Sequence, residues 1–66
     1  MYRLTISYDG ERISRWDFSD AIAAVREFDK CSDFGDAINY ATYNLSEPSG
    51  KMHTKNFYRN GKVELR

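Results

Sequence analysis

A single cysteine, Cys31, excludes an intramolecular disulfide from this 66-residue chain. With it goes the covalent framework by which small secreted domains supplement a thin core. A reducing cytoplasm is the compartment that follows. No stretch nears the roughly 20 apolar residues of a membrane span, and the opening "MYRLTISYDG" lacks the basic segment and apolar run of a secretory leader. A soluble protein with no membrane partner is therefore expected. Net charge is missing too. Ten basic residues cancel ten acidic ones, which argues against affinity for nucleic acid driven by bulk charge.

Catalytic signatures are equally scarce. The one histidine, His53, lies between Lys51 and Lys55, and no serine sits in a G-x-S-x-G context, so a hydrolytic triad has neither base nor nucleophile in a recognisable setting. Cys31 falls near Asp29 and Asp33 at the end of a helical pattern, whereas a reactive thiolate needs a positive surrounding. Asp29, Asp33 and Asp36 lack the alternating ligands and closing glutamate of a calcium loop. "SGK" at 49–51 has no upstream glycine or downstream helix with which to cradle a phosphate. The "NLS" sequon at 44–46 has no meaning without export. The expectation is a protein that is not an enzyme and carries no cofactor or metal.

What the chain does contain is two hairpin signals around one amphipathic helix. Asp9-Gly10 and Asn60-Gly61 both suit a two-residue type I′ turn, in which both central residues take positive φ. Counting outward from Asp9-Gly10 sets Ile6 against Ile13, and leaves Arg3, Arg12 and Trp16 on the opposite face. Counting outward from Asn60-Gly61 sets Tyr58 against Val63 and Asn56 against Leu65, and leaves Phe57 outside with Lys55, Arg59, Lys62 and Arg66. Between the hairpins, "DFSDAIAAVREFDKC" spaces Phe18, Ala21, Ile22, Val25, Phe28 and Cys31 along one helical stripe. Asp17 or Ser19 can cap the first turn, Asp20 suits the positive end of the dipole, and Gly35 can close the helix. In "INYATYNL", Ala41, Tyr43 and Leu45 make one face and Ile38, Tyr40 and Thr42 the other, a conflict that a bulge would reconcile. Pro48 in "SEPSGK" reads as a turn.

The order strand, strand, helix, strand, strand, strand predicts a single α+β domain over residues 1–66. Its antiparallel sheet of about five strands carries one helix on one face. The expected core joins Ile22, Val25 and Phe28 to Leu4, Ile6, Ile13, Val63 and Leu65. Charge is uneven: residues 9–36 hold eight acidic and four basic side chains, residues 37–66 two acidic and five basic. An acidic helical side and a basic C-terminal side follow.

The outward face is then the candidate surface. Trp16 and Phe57, with Tyr40 as a third aromatic, lie among Arg3, Arg12, Lys55, Arg59 and Lys62, and aromatic and arginine side chains are the usual anchors of protein interfaces. Cross-strand stacking of arginine on tryptophan in a merely exposed sheet is the plainer reading of the same residues. The leading expectation is a protein-binding module that docks by this face, or by the acidic helix face, on a larger protein or on a second copy of itself. Single-stranded nucleic acid stacking on the same aromatics is the alternative.

"TYNLSEPSGKMHTKNFYRNGKVE", following "YRLTISYDG" and "DFSDAIAAVREFDKCSDFGDA", resembles the small accessory proteins encoded by phages of actinobacteria. The resemblance covers nearly the whole chain and contains no catalytic or ligand motif. It implies a viral protein of the host bacterial cytoplasm, in a group where compact binders of host or phage proteins, including inhibitors of host defence, are common. It carries over no functional residue.

Overall fold

The computed structural model describes residues 1–32 and 34–66. Six elements follow in order: β1 (Tyr2–Tyr8), β2 (Glu11–Phe18), α1 (Ala21–Lys30), β3 (Tyr40–Ser46), β4 (Met52–Tyr58) and β5 (Val63–Leu65). They form a five-stranded antiparallel sheet in the order β2-β1-β3-β4-β5 with one helix, the α+β arrangement expected. β3 lies at the centre, paired with β1 on one side and β4 on the other. The expected alternation in β3 holds without a bulge: Ala41, Tyr43 and Leu45 are buried, and Tyr40, Thr42 and Asn44 point to the other face.

The helix is shorter than its apolar stripe. Phe18 belongs to β2, and Asp20, in extended backbone, is the N-cap, accepting the Ile22 N–H at 3.3 Å. That corrects the expected caps at Asp17 or Ser19. Nor does Gly35 close the helix. Cys31 ends it, its N–H donating to the Phe28 carbonyl at 3.1 Å. Lys55 reaches across from β4 to donate Nζ–H to the Phe28 carbonyl at 2.9 Å and to that of Cys31 at 3.4 Å. An ammonium there complements the negative end of the helix dipole. It also lies 4.4 Å from the centre of the Phe28 ring. Asp33, expected among a carboxylate cluster, lies outside the described residues.

The core is also displaced from expectation. Leu4, Ala24, Phe28, Ala37, Ala41, Tyr43 and Leu45 are buried, with Ile6, Phe18, Phe34 and Phe57 packed partly against them. Ile22 remains 67% exposed and Val25 45%, because Ala24 and Phe28 define the face that α1 turns to the sheet. Ile13, Val63 and Leu65 are exposed as well. The helix lies over β1, β2 and β3 and, among the described residues, not over β4 or β5.

Removing the Phe28 ring leaves a cavity under the helix, so Phe28→Ala should cost about 3 to 5 kcal/mol in urea unfolding. Ile22→Ala should stay within about 0.5 kcal/mol of the parent, as a surface substitution does. Equal losses for the two variants would contradict this core.

Candidate functional site

Two turns decide which side chains share a face. At the first hairpin, Asp9 (φ 55) and Gly10 (φ 85) both take positive φ, as a type I′ turn requires. Ser7 pairs with Arg12 as expected, but the register then shifts: Ile6 pairs with Ser14, leaving Ile13 unopposed in a bulge. Every residue beyond Ile13 changes side relative to the simple count, so Trp16 pairs with Leu4 and faces the helix rather than the open face. It is 47% exposed there, at the rim of an open hollow of about 360 Å³ shared with Ile6, Phe18, Lys30 and Cys31.

The second hairpin departs from type I′. Only Gly61 (φ 91) has positive φ. The Tyr58 N–H donates to the Lys62 carbonyl at 2.9 Å, and the Gly61 N–H to the Tyr58 carbonyl at 3.0 Å. Asn60 Oδ1 accepts the Lys62 N–H at 2.9 Å. The loop is therefore three residues long with a glycine bulge. Phe57 consequently pairs with Val63, and Lys55 with Leu65. Phe57 faces the helix side, where its ring meets Tyr43 edge-on at 5.7 Å. The expected placement of Trp16, Phe57 and Lys55 on the uncovered face is thus corrected for all three, and Lys55 is the helix cap described above.

Tyr40, Arg3, Arg12 and Lys62 do belong to the open face by register, and Arg59 stands in the exposed turn beside it. Tyr58, expected inside, joins them. Its ring lies 6.0 Å from that of Tyr40, with Lys62 Nζ 5.7 Å from its centre. Arg66 stands there as the count from the second turn has it, and Arg15 adds a cation that the count had not placed there. Asp17 takes Arg3 at 3.1 Å and Arg15 at 3.7 Å, and Glu64 takes Arg66 at 3.7 Å and the Tyr58 hydroxyl. Between rings and arginines the surface is polar: Thr42 donates to Asn56 and Thr54 to Asn44, each at 2.7 Å.

On the helix side, α1 leaves its two flanks uncovered. Beyond β3, Val25, Phe28, Leu45 and His53 line an open hollow of about 330 Å³. His53 Nε2 meets Glu47 Oε2 at 2.5 Å, which accounts for the histidine as a structural partner. Val63 and Leu65 continue this flank at the sheet edge, 51% and 71% exposed. Among the described residues, no group of three or more His, Cys, Asp or Glu side chains is placed to hold a metal ion. Nor, among those residues, is any helix long and apolar enough to cross a membrane. Comparison with known proteins returned no match to a protein-family model, a curated protein or a solved structure.

Asp9 ties the hairpin to the central strand. Its carboxylate accepts the N–H groups of Ile38 at 2.9 Å, Asn39 at 2.6 Å and Tyr40 at 3.2 Å. The Ile38 bond most of all, then that of Asn39, holds its pKa below the ordinary value of 3.8. The Tyr58 hydroxyl likewise lowers Glu64 below 4.5. A carboxyl whose pKa falls on folding stabilises the fold above its unfolded value, and that stability is lost as pH drops through the folded one. Thermal melting between about pH 6 and pH 2 should therefore show a loss below about pH 4 that is weaker in Asp9→Asn and weakest in Asp9→Asn with Tyr58→Phe.

The loop assignment is tested separately. Gly61→Ala should cost about 1 to 2 kcal/mol for a side chain at positive φ. Asn60→Ala should cost about 0.5 to 1 kcal/mol, through one lost hydrogen bond. A type I′ turn, with positive φ at both positions, would make Asn60→Ala as costly as Gly61→Ala.

Proposed function

We propose that this chain is a non-enzymatic binding protein that docks on another protein through the helix-side surface left bare beyond β3. The observation that carries the reading is the helix's incomplete cover. Val63, paired with the partly buried Phe57, and Leu65, paired with Lys55, stay substantially exposed, as does Val25 at the hollow it shares with His53, and apolar side chains exposed on one side of a small domain are a common mark of an interaction site. Trp16 at the opposite rim offers a second anchor of the type that dominates protein interfaces. A binder of this size acts by occupying its partner's surface.

The resemblance to phage accessory proteins makes a host bacterial or phage protein of the cytoplasm the partner to expect. Self-association through the same flank is the other occupant. Val63→Ser with Leu65→Ser should leave the melting temperature nearly unchanged, since both side chains are half-exposed or more. The same change should weaken association about tenfold or more if the flank is the anchor. Sedimentation of the purified chain reads self-pairing, and capture from host lysate with parent and variant in parallel reads a partner. Identical behaviour of parent and variant in both measurements would overturn the assignment.

A further inference from the structure

The open sheet face differs in kind from the helix-side flank. Arg3, Arg12, Arg15, Lys62 and Arg66 stand on it against only Asp17 and Glu64, while the whole chain is neutral. The compensating acidic excess lies elsewhere: on α1 and its approaches Asp20, Glu27, Asp29 and Asp36 stand against Arg26 and Lys30, and Asp9, Glu11 and Glu47 lie at or beside turns. A molecule polarised in this way turns one face to a polyanion and withdraws the other. Two arginines share the single carboxylate of Asp17, and among the described residues Arg12 has no ion pair.

The same face presents the rings of Tyr40 and Tyr58 side by side on neighbouring strands, 6.0 Å apart. Among the paired strand positions of this face Met52, at the far corner, is the apolar residue; Ile13, unpaired in the bulge, and Ile38, before β3 begins, are exposed at its margin. A protein partner needs an apolar core to its interface, and the paired positions of this face offer only Met52, at a corner. Paired rings with cations in rows beside them are what unpaired bases and their phosphates require. Duplex grooves need a helix, ribbon or arm that can enter them, and α1 packs on the other side of the sheet, over Leu4 and Leu45.

We propose that the face of the sheet opposite α1 binds single-stranded nucleic acid, with bases stacking on Tyr40 and Tyr58 and phosphates held by Arg12, Arg15 and Lys62. This goes beyond the protein-docking reading and uses the other side of the sheet.

The test is fluorescence anisotropy of a labelled oligothymidylate of about 12 nucleotides, with a duplex of equal length and polyglutamate as competitors. The strand should bind, and the logarithm of its affinity should fall with that of salt between about 50 and 200 mM by about 0.7 for each phosphate neutralised. Arg12→Ala should lower that slope by about one such contact. Tyr40→Ala or Tyr58→Ala should weaken binding about tenfold, with circular dichroism confirming the fold. Val63→Ser with Leu65→Ser, on the opposite side, should bind as the parent does, so failure of this proposal is distinct from failure of protein docking. No binding at the lowest salt, equal competition by duplex or polyglutamate, or unchanged affinity in the folded tyrosine variants would overturn it. Should a tyrosine variant unfold, Arg12→Ala decides: an unchanged affinity and salt slope would also overturn it.

Discussion

One helix about 10 Å across cannot cover a sheet whose five strands, about 4.8 Å apart, span about 19 Å. That mismatch governs the molecule. The helix settles over β1, β2 and β3, where Ala24 lets it approach closely and Phe28 fills the space beneath it. Everything past β3 on that side must then be tolerated in water or covered from outside. Lys55 bridges part of the gap by spanning from β4 to the helix end with its ammonium and lying along the Phe28 ring. A long side chain with an apolar stem can do both at once.

The other constraint is a single carboxylate. Asp9 sits at positive φ in the first turn and gathers three consecutive backbone N–H groups just where β3 begins. Its own N–H donates to the Tyr40 carbonyl at 2.9 Å. The turn of the first hairpin thereby sets the start, and so the register, of the central strand. Gly35 lies in the same approach, at φ 63, where a Cβ would come within 2.3 Å of the Tyr8 hydroxyl. Close backbone contact thus brings the chain from the helix back into the sheet.

Element order and fold class were legible because period and turn residues speak directly to them. Faces were not, and the reason is a one-residue count. Gly61 serves equally in a two-residue or a three-residue loop, and choosing the shorter exchanges the sides of Phe57 and Tyr58. The bulge at Ile13 does the same for Trp16, and nothing local distinguishes an isoleucine in a bulge from one in a regular strand. Two such slips moved two aromatics together, so they agreed with each other while both disagreeing with the structure. The helix misreading is milder: Ile22 and Val25 outweigh Ala24 in hydrophobicity, yet alanine is what close approach to a sheet demands. Tyr40 was placed correctly by its alternation with Ala41, and Arg3 and Arg12 because the bulge lies beyond Arg12 on β2 and leaves β1 untouched.

Strand order also dictates how this chain can assemble itself. β1 and β3 are neighbours in space, but β2 and the helix intervene in the sequence, so the central ladder closes a loop of about half the chain. The outer hairpins are local and close cheaply, whereas the β1·β3 ladder pays the entropy of that closure before any contact rewards it. Its formation is the step that separates two independent hairpins from a protein. Asp9, at the tip of the first hairpin, bonds to Ile38, Asn39 and Tyr40 where the chain enters β3, and so joins that hairpin to the meander of β3, β4 and β5.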